Sequence, residues 1–146
     1  MRISHKGDYA LKAMLDLSLH HNAELVTSHD LAKRIDAPIK FLEQVLLELK
    51  KGGFIESRRG NIGGYLLSKT PDKITVGQVI KYIDGPVEPI ICVKEGYSNC
   101  ADINTCVFKK MWHEVSRATL EIIDNVTFEE LVSQVNAARQ VLEYSI

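Results

Sequence analysis

Apolar positions recur along this chain with the three-to-four-residue period of amphipathic helices, and one central stretch breaks instead into short strand-like runs. Residues 7 to 21 carry Leu11, Leu15 and Leu19 at four-residue spacing, with Met14 beside them, which predicts a helix with one buried stripe. Thr27-Ser28-His29-Asp30 offers a capping-box start for a short helix from Ser28 to Ile35, with Leu31, Ala32 and Ile35 facing inward. Asp36-Ala37-Pro38 stops it, because proline disfavours helical geometry in the residue before it. Pro38 itself suits the first turn of the next helix. That helix places Leu42, Val45, Leu46 and Leu49 on a single face and ends in Lys50-Lys51-Gly52-Gly53, where basic residues and glycine suit a carboxyl end. Two strand-like runs, Phe54 to Arg58 and Gly64 to Ser68, then flank the tip Arg59-Gly60-Asn61-Ile62-Gly63, which predicts a hairpin with a basic, glycine-rich tip.

Beyond Pro71 the pattern is helical again. Thr75 can cap a helix running to about Asp84, closed by Gly85-Pro86. An irregular stretch containing Pro89, Gly96, Ser98 and Asn99 follows. From about Asn104 to Asp124, Phe108, Met111, Trp112, Val115, Thr119 and Ile122 form a near-heptad apolar seam. Thr127-Phe128-Glu129-Glu130 repeats the capping-box signature before a last helix through Leu131, Val135 and Val141.

Helix, short helix, turn, helix, hairpin is the order of a winged helix-turn-helix, so the expected fold is mainly α with a small β-hairpin wing and a long dimerisation helix. The expected division is residues 1–70 for a DNA-binding domain and 71–146 for a loop and helical dimerisation region. In the winged design the second helix of the turn motif enters the major groove while the wing lies along the backbone or minor groove. Lys40, Glu43 and Gln44 lie off the apolar stripe near the start of that helix, where glutamine can read adenine and glutamate can accept from cytosine. Arg58 and Arg59 suit phosphate contact or a narrow minor groove, and Ser28, Ile39, Gly60 and Asn61 complete the expected DNA-facing set. The long amphipathic helix is expected to pack against its copy in a homodimer, matching a two-fold double-stranded DNA operator. A solvated polar face on a small helical domain would give a similar pattern, but not the basic helix end and glycine-rich hairpin together.

Charge adds modest support. The chain is near neutral overall, yet the first 70 residues hold 11 Lys+Arg against 8 Asp+Glu and the remainder 7 against 11, a net of +3 and then −4. With 146 residues the chain can build one core without metal or disulfide staples. Lys6, Asp8, Lys12 and Asp16 interrupt the apolar positions of Met1 to Leu19, so neither a secretory signal nor a membrane span is expected, and a reducing cytoplasm is the default. Nothing resembling a serine-histidine-acid set, a phosphate loop or a paired-carboxylate motif occurs, which leaves an enzyme reading without residues. His5, His20, His21 and His29 lack ligand spacing and are expected at the surface, at helix ends.

Chemistry concentrates in one place. Cys92, Cys100 and Cys106 fall within fifteen consecutive residues and the chain has no other cysteine. Seven residues separate the first two and five the last two, matching neither the close pairs of structural zinc sites nor common ferredoxin spacings. Three soft donors close in sequence suit zinc, an iron-sulfur cluster or a thiol redox switch, and the residues leave these three open.

A resemblance narrows the choice. The helix from Arg2 to Leu19, Leu42-Glu43-Gln44 through Gly52, the wing Arg58 to Leu67 and three cysteines before a long helix together resemble the bacterial winged-helix iron-sulfur transcription regulators of the IscR, NsrR and RirA type. That resemblance covers nearly the whole chain. It implies a homodimeric regulator, commonly a repressor, that senses iron, iron-sulfur, redox or nitric-oxide status through a 2Fe-2S or 4Fe-4S cluster on Cys92, Cys100 and Cys106. IscR-like members place five residues between the first two cysteines and a histidine three after the third; here the first gap is seven and the latter position holds Lys109. Asp8 matches the aspartate that completes a cluster from the partner subunit in NsrR-like members, which makes it the favoured protein candidate for the fourth position, beside a small molecule or no protein ligand there. His113 is the chemical alternative, but two helical turns, on the order of 10 Å, separate it from Cys106.

Overall fold

Side chains able to satisfy free backbone amides mark where the helices begin. A computed structural model of the protein describes residues 2–22 and 25–145. In it, α1 (His5–Leu19) is capped by Ser4, whose side chain accepts from the amide of Gly7, and α2 (Ser28–Ile35) by Thr27, which accepts from Asp30. The third helix, α3 (Ile39–Lys51), starts after Pro38, which stands at the capping position and not inside the first turn as expected. Strands β1 (Ile55–Arg58) and β2 (Gly64–Leu67) pair antiparallel from Ile55 opposite Leu67 to Arg58 opposite Gly64. Helix α4 (Val76–Asp84) and helix α6 (Phe128–Tyr144) each open with a full capping box, Thr75 with Gln78 and Thr127 with Glu130. Between them runs α5 (Val107–Asn125), capped by Cys106; the segment from Asn104 expected to begin it is a series of turns instead.

The core forms around α1. Its fully buried positions are Ala10, Ala13, Met14 and Leu17, while Leu11, Leu15 and Leu19, the stripe expected from the sequence, are only half-buried. The reason is that α1 is covered on more than one side, by α2 and α3 and also by α4 and α6. Two alanines let neighbouring backbones come close, and the leucines fill the flanks. Leu31 of α2, then Leu42, Val45, Leu46 and Leu49 of α3, and Ile55 and Leu67 of the hairpin complete this core together with Ile74, Val79 and Phe128. Phe128 reaches it because a short bridge joins the segments before α4 and α6: the Val76 amide donates to Val126 O at 2.9 Å and that of Phe128 to Ile74 O at 3.0 Å.

Polar locks fix the helices around this apolar centre. Asp16, 6% exposed, receives Arg34 of α2 through Nε at 2.7 Å and Nη2 at 2.8 Å. Asp84 at the end of α4 accepts from both the amide and the hydroxyl of Ser4, holding the start of α1. Lys81 pairs with Asp124 at 2.7 Å, tying α4 to α5.

Candidate nucleic-acid interface and cysteine loop

The turn between α2 and α3 is sharp because Asp36 adopts a left-handed conformation, φ 51°, that aspartate tolerates better than most residues. The amide of Ala37 closes it on Ala32 O at 3.0 Å. Arg34, bound to Asp16, anchors α2, and the apolar face of α3 is sunk in the core, so the opposite face of α3 points away from the molecule. Lys40, Glu43 and Gln44 are exposed on that face; Ile39 opens the helix half-buried, and Ser28 is half-buried at the start of α2.

The wing stands beside this motif through a third strand-like segment. Val26, just before α2, exchanges both hydrogen bonds with Tyr65 of β2, at 3.1 and 2.8 Å. Gly64 makes the approach possible, since a Cβ there would lie 2.7 Å from the Val26 carbonyl oxygen. Arg58 ends β1, and Arg59, Gly60 and Asn61 form the turn, all four exposed. Gly60 takes φ +124°, a region closed to other residues in practice.

Three cations of the head are held by carboxylates: Lys6 by Glu48 at 3.0 Å, Lys12 by Asp8 at 2.7 Å, and Arg34 by Asp16. Lys40, Arg58 and Arg59 have no ion-pair partner among the described residues. Unmatched cations on the two projecting elements are what a phosphate backbone requires.

The cysteines lie at the far side of the sequence from this head. Cys92 is half-buried in a single 3₁₀ turn, Ile91–Val93; Cys100 is exposed in the following loop; Cys106 is half-buried at the amino end of α5, and its side chain makes no capping hydrogen bond. All three are free thiols. Among the described residues no group of three or more His, Cys, Asp or Glu is arranged to hold a metal ion, so the single chain does not gather the sulfurs into a site. Asp8 sits in the first turn of α1 with its carboxylate taken by Lys12, whose ammonium is held above its ordinary pKa chiefly by that hydrogen bond. His113 is exposed on α5 and Lys109 half-buried. As a donor set the cysteines still fit an iron-sulfur cluster: three soft, accessible thiols outside any disulfide, the last of them at the start of a 19-residue helix.

Sequence reasoning missed the polar locks. His20, expected as a plain surface residue, places Nδ1 2.8 Å from Asp16 O and 3.2 Å from its carboxylate, joining the Asp16–Arg34 pair. The available signal was Asp16 itself, an acid standing between Leu15 and Leu17 in an otherwise apolar run.

A helix-turn-helix carried on a buried α1, followed by a basic two-stranded wing, defines a winged-helix transcription regulator. The chain belongs to the Rrf2 family, whose model, described as an iron-dependent transcriptional regulator, matches residues 3–134. It is 35% identical over 148 residues to an Rrf2-like HTH-type transcriptional regulator of Rhodobacter capsulatus, covering 97% of this chain and 99% of that one. The HTH-type transcriptional regulator IscR of Pectobacterium carotovorum is 36% identical over 133 residues, 91% of this chain and 80% of its own length. Among solved structures, CymR, described as the global cysteine regulator of B. subtilis, superposes with a TM-score of 0.79 at 30% identity, covering 92% of this chain and 98% of its own. These relatives are transcription regulators and not enzymes.

Proposed function

We propose that this protein is a homodimeric repressor whose occupancy of a double-stranded DNA operator depends on an iron-sulfur cluster held by Cys92, Cys100 and Cys106. The observation that carries the reading is the position of the thiols: a loop of free cysteines ending on the first turn of α5, a helix with no buried residue and with Val107, Phe108, Met111, Val115 and Ile122 exposed. An apolar seam of that length is suited to a second copy of itself. Residues 1–70 then act as the DNA-binding part and 71–146 as the sensing and pairing part. Ser28, Ile39, Lys40, Glu43 and Gln44 face the major groove while Arg58, Arg59, Gly60 and Asn61 meet the backbone or minor groove. The partner's Asp8 is the fourth-ligand candidate, and it would have to leave Lys12.

When bound, the cluster supplies an oxidant- and iron-sensitive cross-link among three loop thiolates. The rest belongs to this chain. Cys106 stands at the start of α5; Ser116 Oγ of α5 donates to Val87 O at 3.3 Å; Lys81 and Asp124 join α5 to α4; Asp84 joins α4 to the start of α1. Reordering residues 92–106 therefore acts on the elements that space the two recognition helices. A coupling of about 1.4 kcal/mol suffices for a tenfold change in operator affinity.

Anaerobic purification should give visible absorption with iron and sulfide in comparable amounts, lost in the C92A/C100A/C106A variant, and operator affinity should change more than tenfold on cluster removal. Zinc without iron or sulfide, or equal binding by loaded, emptied and oxidised protein, would overturn the reading. A direct thiol switch is the second reading, supported by the likeness to Staphylococcus aureus CymR, which has been solved in an oxidized form (TM-score 0.72 at 26% identity, covering 90% of this chain and 96% of that one); it predicts oxidant-dependent binding by metal-free protein.

A further inference from the structure

The outward stripe of α3 contains one residue that charge does not explain. Lys40, Glu43, Gln44 and Leu47 follow i, i+3, i+4, i+7 spacing, so they share one face, opposite Leu42, Val45, Leu46 and Leu49. Leu47 is 51% exposed while the other three leucines of α3 are 0% exposed. Single exposed leucines are ordinary on a protein surface. The surroundings of this one are not, because its helical neighbours are the polar residues of a reading face. Among the described residues, the other exposed large apolar ones lie on other elements, Ile62 at the wing tip, Tyr82 on α4, Ile3, Ile90 and Ile91 in connecting segments and the rest on α5 and at the end of α6, so Leu47 is the one on the outward face of α3 and is not part of the pairing seam.

We propose that Leu47 is a specificity-determining residue that packs against a thymine C5-methyl group in the major groove. The assignment rests on α3 being the recognition helix. Thymine alone among the four bases presents a methyl group in that groove, and a leucine there can distinguish it from cytosine without any hydrogen bond. At 1.5 Å rise per residue Leu47 lies about 5 Å beyond Gln44 and about 10 Å beyond Lys40 along the helix. With roughly 3.4 Å between base pairs, its thymine falls within about two base pairs of the one met by Gln44. Homeodomain recognition helices read bases with the same i, i+3, i+4, i+7 spacing. Lys51, exposed one turn further along, marks where the stripe returns to phosphate.

The test uses the full-length protein and an operator obtained by selection from random duplexes. Each thymine is replaced in turn by deoxyuridine, which removes the methyl group and nothing else. Wild-type protein should lose about three- to fourfold in affinity per methyl at one position in each half-site, the value of one buried methyl. Leu47→Ala should bind the thymine operator more weakly, bind the deoxyuridine operator as wild type does, and no longer distinguish them. A helix distorted by the substitution would weaken both duplexes alike. Indifference of wild type to every substitution, or discrimination kept by Leu47→Ala, overturns the assignment. Failure to select any duplex would overturn the DNA-binding reading itself, and this assignment with it.

Discussion

The winged-helix head and the cysteine loop with α5 are built on opposite terms. In the head, α1, α3 and the hairpin contribute side chains with essentially no exposure to a shared core, and locks such as Asp16–Arg34 hold the elements in register. Helix α5 is longer than any of them and buries nothing fully, although Phe108 is 61% and Val107 81% exposed. The head is complete within one chain. The arm carries its chemistry and its apolar seam outward, which is the arrangement expected of a part that is finished by another molecule or group. On the proposed function this would separate stability from sensing: the head closes its own core, while the thiols sit on a loop and helix that bury nothing fully.

Substitutions can test that division. Phe128→Ala removes a fully buried ring that α6 sends into the head's core, and should cost about 3–5 kcal/mol in urea denaturation. If the loss is below 1 kcal/mol, the core does not extend across the two regions. Phe108→Asp on α5 should barely change the unfolding of the head, yet give monomers on sedimentation where the wild type sediments as the proposed dimer, and lower operator affinity at least tenfold; a variant dimer unchanged from wild type would remove α5 from the interface. Asp16→Ala leaves Arg34 without its partner. Because the Arg34 side chain is 40% exposed, the expected cost is moderate, about 1–2 kcal/mol, with DNA affinity falling as α2 loosens. Thr127→Ala removes one half of a capping box and should lower stability by about 1 kcal/mol. The smallest effect is expected for Asp36→Gly, which relieves the left-handed turn and should raise the melting temperature slightly, by less than about 1 kcal/mol of stability.

Much of the head was readable in the chain itself. Thr27, Thr75 and Thr127 each cap the helix their spacing implied, and the apolar face of α3 is the one its four positions define. These are local signals, set by backbone amides and helical period. The burial of α1 was misjudged for a non-local reason: helices from both halves of the chain cover it, so the small Ala10 and Ala13 are more deeply buried than Leu11 and Leu15. The role of His20 was hidden likewise, because its partner Asp16 is fixed by an arginine 18 residues away. For the cysteines, spacing alone left zinc, cluster and switch open, and the fold places three free thiols on the loop leading into α5 without drawing them together.

By itself the sequence determined the order of elements, the caps of α2, α4 and α6, the polar outward face of α3 and the basic wing tip, because each depends on neighbours a few residues away. Only the tertiary structure decided which face of α1 is central, that Phe128 completes the core of the head, and that Leu47 stands exposed among polar residues. Those outcomes depend on which surfaces meet across the whole chain, and burial is a property of the meeting rather than of the residue.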